Sequence, residues 1–195
     1  GCGRTYFKNK AKDSVNETAT FEQIQEDLDE LVDYVRERFG QEKVILVGHS
    51  FGTMVGSKYA IDHPQKVAQY IGIGQMGALG SDLYAYEDAL EKAIRLGDDT
   101  TELEQAIARY QNAPTIENML AARSLPDAFT SPYMGVDDIR WYLLQTNLDQ
   151  FVHLNQSLFD YINEEDVYAY GTGFGMPVGF ISGSCDYLDI LSETE

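Results

Sequence analysis

The sequence predicts an α/β fold in which a mostly parallel sheet carries a large helical insertion. Two observations lead to this prediction. Helical periodicity and short apolar runs alternate over residues 20–73, the order that a parallel sheet requires because its strands are joined by helices. From about residue 75 to residue 175 only helical patterns occur, and a further apolar run follows at 177–182.

The first element is an amphipathic helix that begins after Thr20. Thr20 and Gln23 have the spacing of a capping box, and Gly40 is suited to end the helix. Between these two ends, large apolar residues recur at steps of three and four. They predict one buried face made by Phe21, Ile24, Leu28, Leu31, Val35 and Phe39.

Two apolar runs flank the next helix. Residues 44–47 and 67–73 are short and unbroken, which predicts buried strands of a parallel sheet. Residues 51–62 between them are rich in small residues and predict a helix. His63 and Pro64 end that helix, because the residue before a proline avoids helical backbone angles.

The helical insertion divides the chain into three predicted parts. Residues 1–74 and 176–195 form parts of the sheet-bearing core, and residues 75–175 form the all-helical region. Helices are predicted in that region from 83 to before Gly97, from 101 to 110, from 115 to before Pro126, and over 136–145 and 148–162.

Composition and charge exclude several classes of partner. The formal net charge is −18, from 32 acidic and 14 basic residues, so the surface repels nucleic acid and anionic membranes. No run approaches ~20 apolar residues, the length of a membrane-spanning helix. Cys2 and Cys185 are the two cysteines, which suggests neither a disulfide framework nor a CxxC metal site. A reducing cytoplasm is therefore the expected location.

A serine lies between two glycines at the end of the first apolar run, in Gly48-His49-Ser50-Phe51-Gly52. A serine hydroxyl is a useful nucleophile only when a base takes its proton and the site stabilises the oxyanion. A sharp turn from strand to helix lifts the hydroxyl off the sheet and brings helix N-terminal N–H groups beside the reacting carbonyl. Glycines at positions 48 and 52 are expected to leave room where a side chain would clash.

Three other interpretations fit this stretch less well. Ser50 as a simple helix N-cap remains open, although it leaves both flanking glycines unexplained. A phosphate-binding P-loop is excluded, because no Gly-Lys-Ser/Thr follows. A dinucleotide fingerprint is excluded, because Gly48, Gly52 and Gly56 are four residues apart.

With these residues in view, the chain resembles an α/β-hydrolase, and within that superfamily the proline iminopeptidase-like group. GCGRT at 1–5 resembles the end of the group's Asp-Gln-Arg-Gly-x-Gly-x-Ser segment, VGHSFG at 47–52 matches the nucleophile elbow, and PVGFISGSCDYL at 177–188 resembles the strand and turn that carry the acid. The resemblance implies an α/β-hydrolase core with an inserted helical cap. The core is expected to be incomplete, because the early strands and the His-Gly-Gly loop of the family have no counterpart.

The resemblance also implies roles for individual residues. Ser50 would be the nucleophile, the N–H of Phe51 one donor of the oxyanion hole, and Asp186 the acid that orients the base. The order of Ser50 and Asp186 along the chain fits the superfamily. Asp186 as an ordinary loop carboxylate stays an alternative. Asp189 is a lesser candidate, and Asp189-Ile190 stands where the family has Thr-Pro.

The family's catalytic histidine follows the acid, and here all three histidines precede Asp186. His49 lies inside the elbow, directed away from where Ser50 needs a partner, and is expected to be structural. His63 is expected to suit a helix C-terminus, and His153 to occupy a polar position in the cap. We therefore expect the chain to be a fragment truncated at both ends and inactive by itself, with the base on residues outside it.

The implied activity is that of an aminopeptidase that cleaves N-terminal residues, proline or another small residue, from short peptides. Esters or amides of small apolar acids are the next substrate class. A non-catalytic binding module on the same scaffold is the alternative from another class. The expected partner is a small molecule or short peptide, and no metal or organic cofactor is implied.

Two groups of residues in the helical region have two interpretations each. Acidic residues are expected to form a solvated helix face, with binding of a substrate amine as the alternative; they are Glu87, Asp88, Glu91, Asp98, Asp99, Glu102 and Glu104. Aromatic residues are expected to pack within the helical region, with a pocket lining as the alternative; they are Trp141, Tyr142, Phe151, Phe159 and Tyr161.

Overall fold

The computed structural model describes residues 20–77, 79–80, 83–123, 125, 156–164 and 173–182. Helices and strands alternate first, helices then follow one another, and a strand closes the described part of the chain. The elements in order are α1 (Phe21–Phe39), β1 (Val44–His49), α2 (Phe51–Asp62), β2 (Val67–Ile73), α3 (Leu83–Leu96), α4 (Thr101–Asn112), α5 (Ile116–Arg123), α6 (Gln156–Glu164) and β3 (Val178–Ile181).

The predicted ends of α1 are confirmed. The Thr20 side chain accepts a hydrogen bond from the Gln23 N–H at 3.1 Å, which satisfies one of the unpaired donors of the first turn. The Gln23 side-chain amide donates a hydrogen bond to Asp27, one turn further along the helix. Gly40 ends the helix in the left-handed conformation, with φ of 61°, which favours glycine.

The buried face of α1 differs from the predicted one at its C-terminal half. Phe21 is buried, and Ile24 and Leu28 pack against the core as predicted. Leu31 and Phe39 are exposed, and Val32 is buried instead. The periodicity predicted the helix correctly. Apolar residues at steps of three and four fall on two neighbouring rows of the helix surface, and the element that packs against the helix determines which row is buried.

The three strands form one parallel sheet in the order β1-β2-β3. Their register places His49, Ile73 and Ile181 level with one another at the carboxyl edge. The predicted strands at 44–47, 67–73 and 177–182 are therefore confirmed. Because neighbouring strands are about 4.8 Å apart, the end of β3 lies about 10 Å across the sheet from the end of β1.

The prediction that β1 is a buried strand is wrong for the part of the chain that the structure describes. Ile45 and Val47 are 62% and 54% exposed. β1 has one neighbour, β2, in the described sheet, and its covered side chains, such as Leu46, face the layer formed by α1 and α2. An apolar run predicts a strand with two apolar faces, but it cannot show whether both faces are covered.

The helices α3 to α6 pack on one another and on the ends of α1 and α2. Between residues 83 and 164 the described residues contain helices only, as predicted, whereas the predicted helix over 136–145 lies outside them. One apolar cluster joins Phe21 of α1 and Met54 of α2 to buried residues of all four later helices. The boundaries of a separate cap at 75–175 remain a prediction. No helix in the described ranges combines the length and the apolar character needed to cross a membrane.

Candidate active site

Ser50 sits at the junction between β1 and α2. Its backbone has φ of 51° and ψ of −127°, and it is the one non-glycine residue with positive φ among the described residues. Such a conformation costs of order 1–3 kcal/mol and persists only where the surrounding structure enforces it. The turn is therefore sharp, as the sequence predicted, and its backbone is strained at Ser50. The capping alternative finds no support, because the Ser50 side chain makes no cap hydrogen bond.

The two glycines of the elbow have different structural roles. A Cβ on Gly48 would lie 2.5 Å from the carbonyl oxygen of Gly52 and 2.9 Å from the Cα of Thr53. The predicted need for glycine at position 48 is thus confirmed, because the first turn of α2 crosses directly over the end of β1. A Cβ on Gly52 would meet nothing within 4 Å. The predicted clash at Gly52 is therefore wrong for the described surroundings.

Hydrogen bonds hold the Ser50 backbone on both sides. Its N–H donates to the carbonyl oxygen of Ile73, the last residue of β2, at 3.1 Å. Its carbonyl oxygen accepts from the N–H of Thr53 at 2.8 Å and from the Thr53 hydroxyl at 2.6 Å. These bonds enforce the strained conformation and connect the turn to the neighbouring strand.

Phe51 follows at the first position of α2. Its N–H lies at the start of the helix, where a backbone N–H has no carbonyl partner four residues back within the helix. The Phe51 ring is half buried and meets the ring of Phe21 edge to face, with centroids 6.4 Å apart. The ring of Tyr161 in α6 stacks on the ring of Phe21, with centroids 4.2 Å apart.

A buried polar network lies beneath the turn, and sequence analysis did not identify it. The Tyr70 hydroxyl lies 3.0 Å from the carbonyl oxygen of Thr53 and 2.8 Å from Oε1 of Gln75. The Thr53 hydroxyl accepts from the N–H of Met76 at 2.9 Å. Burial raises the pKa of Tyr70, so its hydroxyl stays neutral. A glutamine directly after Gly74, where an apolar strand ends, was the available signal.

Gly72 makes this network possible. A Cβ at Gly72 would lie 2.4 Å from Oε1 of Gln75 and 3.3 Å from the Tyr70 hydroxyl. Gly72 pairs directly with Gly48 of the elbow strand. Two adjacent glycines thus open the space in which the first turn of α2 and the Gln75 side chain lie.

The acid predicted to complete the site lies beyond the described residues. β3 ends at Ile181, level with His49, so the strand that leads toward Asp186 reaches the same sheet edge as Ser50. The Gly74 N–H donates to the carbonyl oxygen of Ile181 at 2.9 Å, which joins the ends of β2 and β3. Asp186, Asp189, Cys2, Cys185 and the GCGRT stretch lie outside the described ranges, and their roles remain predictions.

Neither described histidine is placed to act as a base for Ser50. His49 is exposed at the end of β1, and successive residues of a strand face opposite sides of the sheet. His63 is the C-cap residue of α2, about 20 Å along the helix axis from Ser50. Its ring lies 4.4 Å from the ring of Tyr59 and its Nδ1 lies 4.0 Å from Asp29. His153 falls outside the described residues.

The acidic residues of α3, α4 and the loop between them form a solvated surface, as expected. All seven are exposed; for example, Glu87 accepts from Gln111 of α4, and Asp88 pairs with Lys92 of its own helix. Of the aromatic group, Phe159 and Tyr161 pack against the core, while Trp141, Tyr142 and Phe151 lie outside the described residues. Within the described ranges, no three His, Cys, Asp or Glu side chains come together as metal ligands.

Comparison with known families identifies the class of protein that this fold and turn define. The family described as alpha/beta hydrolase fold matches residues 7–186, which is most of the chain. The chain therefore belongs to the α/β-hydrolase family, and membership of that family points to hydrolytic activity. The searches of curated proteins and of solved structures gave no match.

Proposed function

We propose that the protein is a serine hydrolase in which Ser50 attacks a carbonyl carbon. The observation that carries this proposal is the backbone of Ser50, strained at φ of 51° and held by bonds from Thr53 and to Ile73. Strain of this kind in a non-glycine residue is concentrated at functional sites. The membership of the α/β-hydrolase family gives the reaction class that this strained serine would serve.

The proposed reaction is acyl transfer to water in two steps. The Ser50 Oγ attacks the carbonyl carbon while a base takes its proton, and the resulting oxyanion accepts a hydrogen bond from the Phe51 N–H. The base returns the proton to the leaving amine or alcohol as the carbonyl re-forms, which leaves an acyl group on Ser50. Water, deprotonated by the same base, then attacks the acyl carbon; the bond to the Ser50 Oγ breaks, the base returns the proton to that oxygen, and the acid is released. Asp186 is proposed to orient the base.

The base is not assigned to a histidine of this sequence. His49 and His63 are excluded by their positions at the end of β1 and at the far end of α2. His153 precedes Asp186, contrary to the order expected in this superfamily. The proposal therefore assigns no base among the histidines of these 195 residues and predicts that the chain by itself reacts slowly.

The proposed substrates are short peptides with an N-terminal proline or another small residue. Support comes from the likeness of residues 47–52 and 177–188 to the proline iminopeptidase-like group. The exposed acidic residues of α3 and α4 add no support, because a carboxylate that binds an ammonium group strongly needs to be removed from water. Esters and amides of small apolar acids are therefore the second class to assay.

Fluorophosphonate labelling of the 195-residue chain tests the nucleophile, with imidazole added to supply the base. Intact mass is measured with and without about 0.1 M imidazole, a concentration well below the effective molarities of 10⁵ M and above that a built-in base provides. We expect one adduct, located on Ser50 by peptide mapping, that forms faster with imidazole. Ser50→Ala is expected to abolish it, and Ser57→Ala on the same helix to leave it unchanged.

A binding module on the same scaffold is the second candidate, favoured by the absence of a base for Ser50 among the described histidines. If the probe adds no more mass to the wild-type chain than to Ser50→Ala, with imidazole present, the hydrolase proposal is rejected in favour of the binding module. An adduct on Ser50 that imidazole accelerates would reject the binding module.

A further inference from the structure

The carbonyl of Ser50 and the N–H of Phe51 belong to one peptide group. A peptide group is planar and trans, so the carbonyl oxygen and the N–H point in opposite directions from the same rigid unit. Any contact that fixes the Ser50 oxygen therefore also fixes the direction of the Phe51 N–H. This N–H is the donor to which the proposed function assigns the oxyanion.

Thr53 holds the oxygen end of that peptide group with two donors. Its N–H lies 2.8 Å and its hydroxyl 2.6 Å from the Ser50 carbonyl oxygen. The backbone bond is the ordinary beginning of a helix, but the hydroxyl bond is specific to this side chain. The same hydroxyl accepts from the Met76 N–H at 2.9 Å, so its direction is set from the segment that follows β2.

From this geometry we propose that Thr53 is a positioning residue for the oxyanion hole. Its hydroxyl fixes the orientation of the Ser50–Phe51 peptide plane, an effect we call the lock. The same hydrogen bond also polarises that peptide group. A carbonyl that accepts a second hydrogen bond makes the N–H of its own peptide group a stronger donor, because hydrogen bonds in a chain reinforce one another. The inference rests on the proposed hydrolase function for its catalytic meaning, although the lock itself is independent of it.

The surroundings of Thr53 suit this role. Thr53 and Tyr70 are fully buried and Gln75 is nearly so. Tyr70 and Gln75 bond to each other, Tyr70 reaches the Thr53 carbonyl, and the Gln75 amide donates to the Met76 carbonyl at 3.1 Å. Every side chain in this network is uncharged. The hydrogen bonds that hold the Ser50–Phe51 peptide group therefore involve no group that titrates between acid and alkaline pH. Water does not compete for these bonds, because the groups are buried.

The sequence offers a direct way to observe this one peptide group. Ser50–Phe51 is the single Ser–Phe step in the 195 residues. A chain labelled with ¹³C-carbonyl serine and ¹⁵N-phenylalanine therefore gives one cross-peak in an HNCO spectrum, which reports the Ser50 carbonyl and the Phe51 N–H together. The variants are Thr53→Val, which keeps the shape and removes the hydroxyl, and Thr53→Ser, which keeps the hydroxyl.

Ser57→Ala is the matched control. The Ser57 hydroxyl bonds to the carbonyl oxygen of Met54 at 3.3 Å, the same three-residue step on the same helix, and it is also buried. We expect the single cross-peak to shift in both dimensions in Thr53→Val, and to stay near its wild-type position in Thr53→Ser and Ser57→Ala. Imidazole-assisted labelling of Ser50 should slow about tenfold in Thr53→Val, since tilting an oxyanion donor costs less than the 10²–10³ of deleting one.

The cross-peak tests the lock, and the labelling rate tests its role at the oxyanion hole. An unmoved cross-peak in folded Thr53→Val overturns the lock, and a moved cross-peak with an unchanged labelling rate overturns its role at the oxyanion hole. If the wild-type chain gives no adduct on Ser50, the proposed function fails, and the cross-peak still decides whether Thr53 holds the plane. Thr53→Ala, which also lacks the hydroxyl, replaces Thr53→Val if the latter does not fold.

Discussion

The two ends of α2 are fastened to neighbouring elements by different chemistry. At the N-terminal end, Tyr70 of β2 bonds to Thr53 within a buried network of neutral groups. At the C-terminal end, Tyr59 bonds to the carboxylate of Asp29 at 2.7 Å, and Lys66 bonds to the same carboxylate at 2.6 Å. Both fastenings use a tyrosine, but only the second contains charges.

The charged end is partly open to water. The side chain of Asp29 is 35% exposed and that of Asp33, which also pairs with Lys66, is 50% exposed. The hydrogen bond from Lys66, followed by that from Tyr59, holds the pKa of Asp29 below its ordinary value of 3.8. The bonds to Asp29 and Asp33 in turn raise the pKa of Lys66. Solvent screens such pairs, so each contributes little on its own.

The difference between the two ends of α2 indicates which kind of contact can hold a strained residue. Ser50 is strained, and the groups that hold it are neutral, buried and insensitive to pH. A charged fastening at that end would need its charges desolvated and paired, and its strength would vary as they titrate. The charged network stands at the opposite end of the helix, where nothing is strained among the described residues.

The largest expected effect on stability comes from a side chain added at Gly48, near the N-terminal end of α2, where the contacts are uncharged. Gly48→Ala should destabilise the protein by about 3 kcal/mol or more, because the new Cβ meets backbone atoms that cannot move aside cheaply. Gly52→Ala, with nothing within 4 Å, should stay within about 1 kcal/mol of the wild type. Urea denaturation measures both free energies of unfolding. Equal stability of the two variants would show that the turn is not packed as described.

The next effect is the loss of one buried hydroxyl. Tyr70→Phe should lower the free energy of unfolding by about 1–3 kcal/mol, because the Thr53 carbonyl and Gln75 lose a partner away from water. The loss should be the same at pH 7 and at pH 4, since no member of the network titrates there. A loss that changed with pH in denaturant titrations would contradict the neutral character assigned to this end.

A stabilising substitution is expected at the nucleophile itself. Glycine adopts positive φ without steric cost, so Ser50→Gly should be about 1 kcal/mol more stable than Ser50→Ala, which keeps a Cβ. Thermal unfolding of the two variants measures the difference. If Ser50→Ala is equally stable or more stable, the backbone at position 50 stores no strain. Both variants lack the nucleophile, so activity does not enter the comparison.

The smallest effect is confined to acid and to the charged end. Because Asp29 has a lowered pKa in the folded state, its contribution is complete above 3.8 and is lost as the pH falls through the folded-state pKa. Asp29→Asn and Lys66→Met should each flatten the acid side of the stability profile, whereas Tyr70→Phe should keep its slope. Urea titrations from pH 6 to pH 2.5 supply the profiles. Parallel profiles for Asp29→Asn and the wild type would refute the linkage.

Much of the fold could be predicted from the sequence. The strands, α2 and the ends of α1 follow from local signals, namely apolar runs, a capping threonine, Gly40 and the His63-Pro64 pair. At the site, Ser50 and the need for glycine at position 48 were predicted from spacing and from the turn it requires. These features depend on residues that are close in sequence, so a local pattern carries the information.

Other features depended on partners distant in the chain. The burial of Val32 in place of Leu31, and the exposure of Ile45 and Val47, depend on what packs against each face. The open space at Gly52, where a Cβ would meet nothing within 4 Å, depends on the path of the surrounding chain. Thr53 was missed for the same reason, because a hydroxyl in the first turn of a helix has no role until its partner from the segment after β2 is known.

The sequence by itself determined that a serine stands on a tight turn between a strand and a helix, because glycine, apolar and capping residues act on neighbours a few positions away. Only the tertiary structure decided how that turn is held. Tyr70, Gln75 and Met76 reach Thr53 because β2 lies beside β1 in parallel register, with Gly72 level with Gly48. Strand register and burial depend on contacts across the whole chain. The free energy of these contacts outweighs the local backbone preference of Ser50 and holds this residue in its strained conformation.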